Sequence, residues 1–142
     1  MRQVVELASD GACVRIDVFH YERPASTDPD DANWIVCEVS VSAPGVRAKT
    51  QASLRTFELA EFERGLRAAL TAQEGDAHFE SLEEWLELNV NLRKTGRARV
   101  RATLKTHAPA VACSLTFDCD QAALCLALEQ LTAALAAFPV RR

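Results

Sequence analysis

Asp30-Asp31-Ala32-Asn33-Trp34-Ile35-Val36-Cys37-Glu38-Val39-Ser40-Val41 decides the architecture of the first half of the chain. Asp and Asn bond readily to their own backbone and favour turns. They lead straight into a run of period two. Ile35, Cys37, Val39 and Val41 point one way, and Trp34, Val36, Glu38 and Ser40 the other. That alternation is a strand with one buried face.

The neighbouring segments extend the pattern. Ala43-Pro44-Gly45 is a turn, so Val46 to about Leu54 returns antiparallel, with Arg47, Lys49, Gln51 and Ser53 on its wet side. Upstream, Val14, Ile16 and Val18 alternate with Cys13, Arg15 and Asp17, and Val4 to Leu7 is a candidate edge strand. Arg23 to Asp31 holds two prolines and three aspartates and reads as an exposed loop without an element of its own.

At Thr56 the period changes. Phe57, Leu59, Phe62, Leu66, Ala69 and Leu70 mark an amphipathic helix, with Thr56 as its expected cap. Ala77 to Glu80 is a short strand candidate, and Ser81 to Glu84 is either a helical turn or a link. Leu86 to Leu92 alternates, Lys94-Thr95-Gly96-Arg97 turns, and Val100, Ala102 and Leu104 return. After His107-Ala108-Pro109, Val111 to Cys119 forms a last strand. Asp120 then caps a Leu- and Ala-rich helix that Phe138-Pro139 stops. The expected fold is α+β: antiparallel meanders carrying two amphipathic helices, in the order ββββ-α-ββββ-α, with the sheet twisted or split in two. The chain's 142 residues suit one domain, residues 1–142.

Composition narrows the class. Hydrophobic residues make up 49% and charged residues 25%, which opposes disorder. Met1 to Glu6 lacks an apolar signal core, and Ala122 to Phe138 is interrupted by Glu129, Gln130 and Thr132, so neither export nor a membrane span is expected. The five cysteines, Cys13, Cys37, Cys113, Cys119 and Cys125, form no C-x-x-C pair and all lie in apolar periodic segments. They read as packed free thiols in a reducing compartment, the cytoplasm.

The motifs of chemistry are mostly missing. His20-Tyr21-Glu22 and His78-Phe79-Glu80 match half of a zinc deaminase signature, but the P-C-x-x-C half is absent. No G-x-S-x-G, P-loop or G-x-G-x-x-G occurs. No cofactor or metal is therefore expected. The alternative, a small-molecule binder or an enzyme with a pocket between sheet and helix, would be supported by His20 or His107 lying near Cys113 or Cys119.

Charge is divided unevenly. Residues 1–91 hold 17 acidic and 8 basic side chains, and residues 92–142 hold 3 and 8. Glu80, Glu83, Glu84 and Glu87 surround Trp85; they read as a solvated face or as an acidic patch with an aromatic anchor. Arg93, Lys94, Arg97, Arg99, Arg101 and Lys105 make a basic hairpin without aromatics for base stacking, so nucleic acid is not the expected partner.

Asp31-Ala32-Asn33-Trp34 at the start of the strand and Phe138-Pro139-Val140-Arg141 at the end, with the element order between them, resemble bacterial immunity proteins of the WapI type. The resemblance implies a cytoplasmic, non-enzymatic protein that neutralises a cognate toxin by binding it. It transfers no catalytic residue. The candidate partner-binding residues are Asp30, Asp31, Glu83, Glu84 and Glu87, facing a basic toxin surface; short edge strands leave a homodimer open.

Overall fold

The alternating segments assemble into two separate sheets, described over residues 1–142 by a computed structural model. Strands β1 (Gln3–Ser9), β2 (Ala12–Tyr21), β3 (Trp34–Ala43) and β4 (Val46–Arg55) form one antiparallel sheet in that order. Strands β5 (Gly75–Glu80), β6 (Leu86–Leu92), β7 (Arg97–His107) and β8 (Ala110–Asp120) form the second in the same way. Helix α1 (Pro29–Ala32) lies between β2 and β3, α2 (Thr56–Ala72) follows β4, and α3 (Gln121–Ala137) follows β8. The fold is α+β with the expected order ββββ-α-ββββ-α, plus one extra helical turn.

The two halves exchange helices. Helix α2, which ends the first meander, packs on β5, the first strand of the second; α3, which ends the second meander, packs on β1. Gly65 faces the first of these contacts, where an added Cβ would lie 3.5 Å from Ala77 of β5, an ordinary contact distance. The inward rows of both sheets and the apolar stripes of both helices form one cluster of 30 buried residues. At its centre Phe62 of α2 meets Phe79 of β5 edge to face, with ring centroids 6.0 Å apart, a geometry that adds about 0.5–1.5 kcal/mol to the burial itself.

Three expectations are corrected. The loop from Arg23 to Asp31 is not wholly irregular: Asp28 caps the turn α1 by accepting from Asp30 N–H at 3.0 Å, with Pro29 at its first position. Thr56 does not cap α2. It is the first helical residue, and Arg55 is the cap, its backbone N–H taken by the Glu58 carboxylate at 2.8 Å. Nor are all the cysteines packed inside: Cys37 and Cys119 are buried, Cys13 and Cys113 are half-buried, and Cys125 is exposed on α3. That helix is apolar nearly all round, so its period cannot say which side faces out.

The two ends of the resemblance meet in space. Asn33 is buried, and its Nδ2 donates to Pro29 O at 2.7 Å and to Arg141 O at 2.9 Å. Its Oδ1 accepts from Arg141 N–H at 2.7 Å and from the Thr56 hydroxyl at 2.7 Å. The Arg141 guanidinium then reaches the carbonyls of Ala32, Pro24 and Arg23 and lies 3.9 Å over the Tyr21 ring. Tyr21 in turn donates to Pro139 O at 2.6 Å and packs edge to face on Phe138.

A second polar anchor lies on the outer face of the first sheet. Asp17 is buried there beneath Arg2 and Arg15, at 2.9 and 3.1 Å. Burial by itself would raise its pKa; the hydrogen bonds from Arg15 and Arg2 overcome that and hold it below the ordinary value. A carboxylate lowered in this way stabilises the fold above its unfolded pKa, and that contribution is lost as pH falls through the folded value.

Two outcomes are expected in denaturant unfolding. Asn33→Ala should cost about 2–4 kcal/mol, because it strands several buried donors and acceptors at once. Asp17→Asn should lower stability at neutral pH and flatten the loss on acidification below the ordinary carboxylate range; an unchanged acid limb would remove Asp17 as its source.

A candidate protein-binding surface at the first turn of α2

The first turn of α2 is an attachment point for two outlying segments. From one side Thr56 holds Asn33, and through it α1, with a backbone bond from Thr56 N–H to Asn33 O at 2.9 Å. From the other side the buried Glu58 carboxylate accepts Leu82 N–H at 2.8 Å while gripped by Arg55 at 2.8 and 3.1 Å. The link between β5 and β6 is thereby fixed. Ser81 is buried inside it, its hydroxyl accepting from Trp85 N–H at 2.9 Å and from Leu86 N–H at 3.3 Å. His107, at the end of β7, donates its Nε2 proton to Glu83 O at 2.8 Å and stacks against Trp85 at 4.4 Å.

This framework displays side chains of two kinds. Leu82 is 60% exposed and Phe57 36%, two of the few large apolar residues that face solvent. Trp34 and Trp85 are half-buried, and Arg55 bridges Phe57 and Trp34, its guanidinium 4.5 and 5.6 Å from the two ring centres. Around them stand carboxylates. Glu83 and Glu84 are exposed on the link, and Glu84 joins Glu80, Glu87, Thr103 and Lys105 in lining a shallow cleft. On α1 Asp30 is exposed and Asp31 half-buried, with Asp31 3.4 Å from Arg23.

The five candidate residues thus fall into two groups. Glu84 and Glu87 share a cleft and Glu83 adjoins them; Asp30 and Asp31 belong to α1, fastened to the same helical turn. The sequence pattern missed Phe57 and Leu82. Phe57 was expected on the buried stripe, yet it stands two residues before Leu59, about 200° round the helix from it, and that offset is the available signal. Nothing local distinguishes Leu82.

Glu84 carries a backbone φ of +60°. Apart from Gln73, which ends α2 in the usual left-handed way, it is the one non-glycine residue in this region. The strain falls on a residue whose side chain faces solvent, where nothing in the core demands it.

The candidates for other chemistry fare differently. His78 Nε2 lies 3.3 Å from Glu80 and 3.8 Å from Glu87, close enough together to resemble a metal triad. However, Nδ1 bonds Asn89 at 2.7 Å, and that bond, reinforced by Glu80 and Glu87, raises the His78 pKa. These contacts form a surface cluster in which a protonated ring pairs with both carboxylates. His20 Nδ1 bonds Tyr21 O, and His107 is engaged with Glu83 and Trp85, so neither is held by a cysteine. Burial pushes the Cys37 thiol up, and that of Cys119 to about 11, opposite to an activated nucleophile. A polar cleft of about 350 Å³ opens on the outer face of the first sheet, lined by Arg2, Arg15, Asp17, Glu38, Arg47 and Lys49 among others, whose charges largely answer one another.

The geometry defines an α+β protein in which the first turn of α2 anchors both α1 and the link between β5 and β6, with Phe57 and Leu82 exposed beside it. Its sequence matches the immunity protein WapI-like family over residues 6–139, and the chain belongs to that family. No curated protein matches it in sequence. In fold it is similar to WHY1 from Arabidopsis thaliana, with 13% identity and a TM-score of 0.54, over 97% of this chain and 91% of that one. It is also similar to the Trypanosoma bruciei MRP1/MRP2 structure, with 15% identity and a TM-score of 0.51, over 96% and 84%. The plant transcriptional regulator PBF-2 gives 9% identity and a TM-score of 0.54, over 97% and 82%. At such identities the likeness is one of fold alone. No helix is long and apolar enough to cross a membrane.

Replacing Glu84 by Gly should raise stability by about 0.5–1 kcal/mol, the left-handed strain relieved less the added chain entropy. Thermal or urea unfolding checks it, and a loss of stability would mean that the strained conformation is held by contacts of the Glu84 side chain.

Proposed function

We propose that this protein is a non-enzymatic inhibitor of a cognate toxin and that it binds the toxin with the surface around the first turn of α2. Family membership carries the reading. The surface adds its own support, because it combines the two properties a tight inhibitor needs. Exposed Phe57 and Leu82, with half-buried Trp34 and Trp85, supply an apolar centre of the kind that dominates binding energy. Asp30, Asp31, Glu83, Glu84 and Glu87 supply a rim that attracts a basic partner and speeds encounter more than it deepens affinity. A toxin that acts on an anionic substrate presents such a basic surface. Inhibition is then steric and electrostatic, and the cytoplasm is where the inhibitor meets a toxin that has entered the cell.

The partner is sought first among products of neighbouring reading frames, by co-purification. With the complex in hand, reversing Glu83, Glu84 and Glu87 to Lys together should slow association about tenfold at low salt and less at high salt. Leu82→Ala should act mainly on dissociation, at about 1 kcal/mol or more. An association rate indifferent to the triple reversal at low salt would remove this patch, and failure to recover any toxin-like partner would count against the immunity role itself.

A further inference from the structure

Four strands form the edges of the two sheets, and an edge with free backbone groups invites another strand unless something blocks it. Three edges carry a block. On β1 the Glu6 N–H is taken at 2.8 Å by the Gln130 side chain of α3. The β4 edge bears Arg47, Lys49 and Arg55. The β5 edge is short, six residues, and bears Asp76, His78 and Glu80. Strand β8 carries charge only at its far end, Asp118 and Asp120, where Ala8, Ser9 and Asp10 share a cleft with it. It runs eleven residues, and its stretch Ala110-Val111-Ala112-Cys113-Ser114-Leu115-Thr116-Phe117 is uncharged. Its inward row stays partly open: Val111 is 51% exposed, and Cys113, Leu115 and Phe117 are half-buried.

We infer that β8 pairs antiparallel with β8 of a second copy of this chain, about a two-fold axis at Leu115, joining two second sheets into one. The strand itself sets the register. Leu115 is the midpoint of Ala110–Asp120, so an axis there centres the pairing on the strand. Residues opposite one another then share a face: Val111 meets Cys119 and Cys113 meets Phe117 on the apolar side, and Ser114 meets Thr116 on the wet side. Asp118 and Asp120 each face an alanine, Ala112 and Ala110, so no like charges oppose across the join. A slip of one residue would turn the apolar row to water. Both charges also have occupations within their own chain: Asp118 accepts from Arg99 at 3.2 Å, and Asp120 caps α3 through Ala123 N–H at 2.9 Å. The same patch serves both copies, so the contact closes at two chains and does not propagate. A single pair of strands buries less than a standard interface, and the dimer is accordingly weak and dependent on concentration.

Sedimentation velocity on the intact protein, from dilute to near-millimolar, tests the pairing and its register. The wild type should pass from monomer to dimer. Ser114→Glu with Thr116→Glu sets like charges opposite each other twice across the axis and should leave a folded monomer throughout. Ser114→Lys with Thr116→Glu sets opposite charges there and should dimerise about tenfold more tightly than the double glutamate. Thr116 lies across from Arg101 in its own chain, so glutamate at this position has a local partner and the fold is kept; circular dichroism checks it. A wild type that stays monomeric, a double glutamate that dimerises like the wild type, or two variants of equal affinity would each overturn the proposal. A monomeric wild type whose toxin complex is broken by the double glutamate would give the edge to the toxin and overturn self-pairing as well.

Discussion

The buried amide of Asn33 is the constraint on which the rest depends. It has two protons to give and an oxygen that can accept twice, and the structure uses all four. Its partners come from α1, from the start of α2 and from the tail after α3, segments that no local preference would bring together. Aspartate in its place would lose both donors. Glutamine would carry the amide one carbon too far. From this point the order passes outward: Thr56 fixes the first turn of α2, Glu58 in that turn fixes Leu82, and the link from Ser81 to Trp85 acquires its shape. A buried hydrogen-bond network, neutral at Asn33 and ionic at Glu58, thus sets the position of the link.

The strands were legible because water on one face and core on the other impose a period of two. The helices were legible where their apolar stripe was narrow, as along Leu59, Phe62 and Leu66 of α2, all buried. In α3 the apolar residues run all round, and the pattern could not show that Cys125 and Leu126 face out. Asn33 marks the deeper limit. As a turn residue before a strand it had a sufficient local explanation, yet its bonds to Arg141 span 108 residues. The two motifs that carried the family resemblance are thereby explained as two halves of one clasp. They report on kinship through the fold, and they lie beside the candidate surface as its support.

The uneven charge of the two halves also takes a different form in space. Acidic residues of the first sheet are largely answered within it: Glu6 and Asp17 by Arg15, Glu38 by Lys49. The later basic residues share a sheet with the acidic cluster, since β6 pairs with β7 and sets Asn89 beside Arg101 and Asn91 beside Arg99. The sequence asymmetry becomes a gradient across one face, from His78, Glu80 and Glu87 to the arginines of β7. The carboxylates on the link and on α1 lie where the backbone leaves the sheets and cross-strand partners run out; of these, Asp31 is met by Arg23 at 3.4 Å.

The exchange of helices gives that location its mechanical sense. A loop between two short strands, β5 and β6, would by itself be the softest part of the second sheet. Here it is fastened to α2, which belongs to the first meander and is clamped in turn by the tail that follows α3. The link is thereby ordered in the free protein, and a partner on the proposed surface would have little left to immobilise. The left-handed Glu84 fits the same logic. Its strain is sustained by the bonds on either side of it, from its own N–H to Ser81 O at 3.0 Å and from His107 to Glu83 O at 2.8 Å, and a link without those anchors would relax out of that conformation. The dependence runs in one direction: loosening the clasp at Asn33 loosens the first turn of α2 and what is fastened to it, whereas the exposed side chains of Leu82 and Phe57 make none of the clasp's bonds.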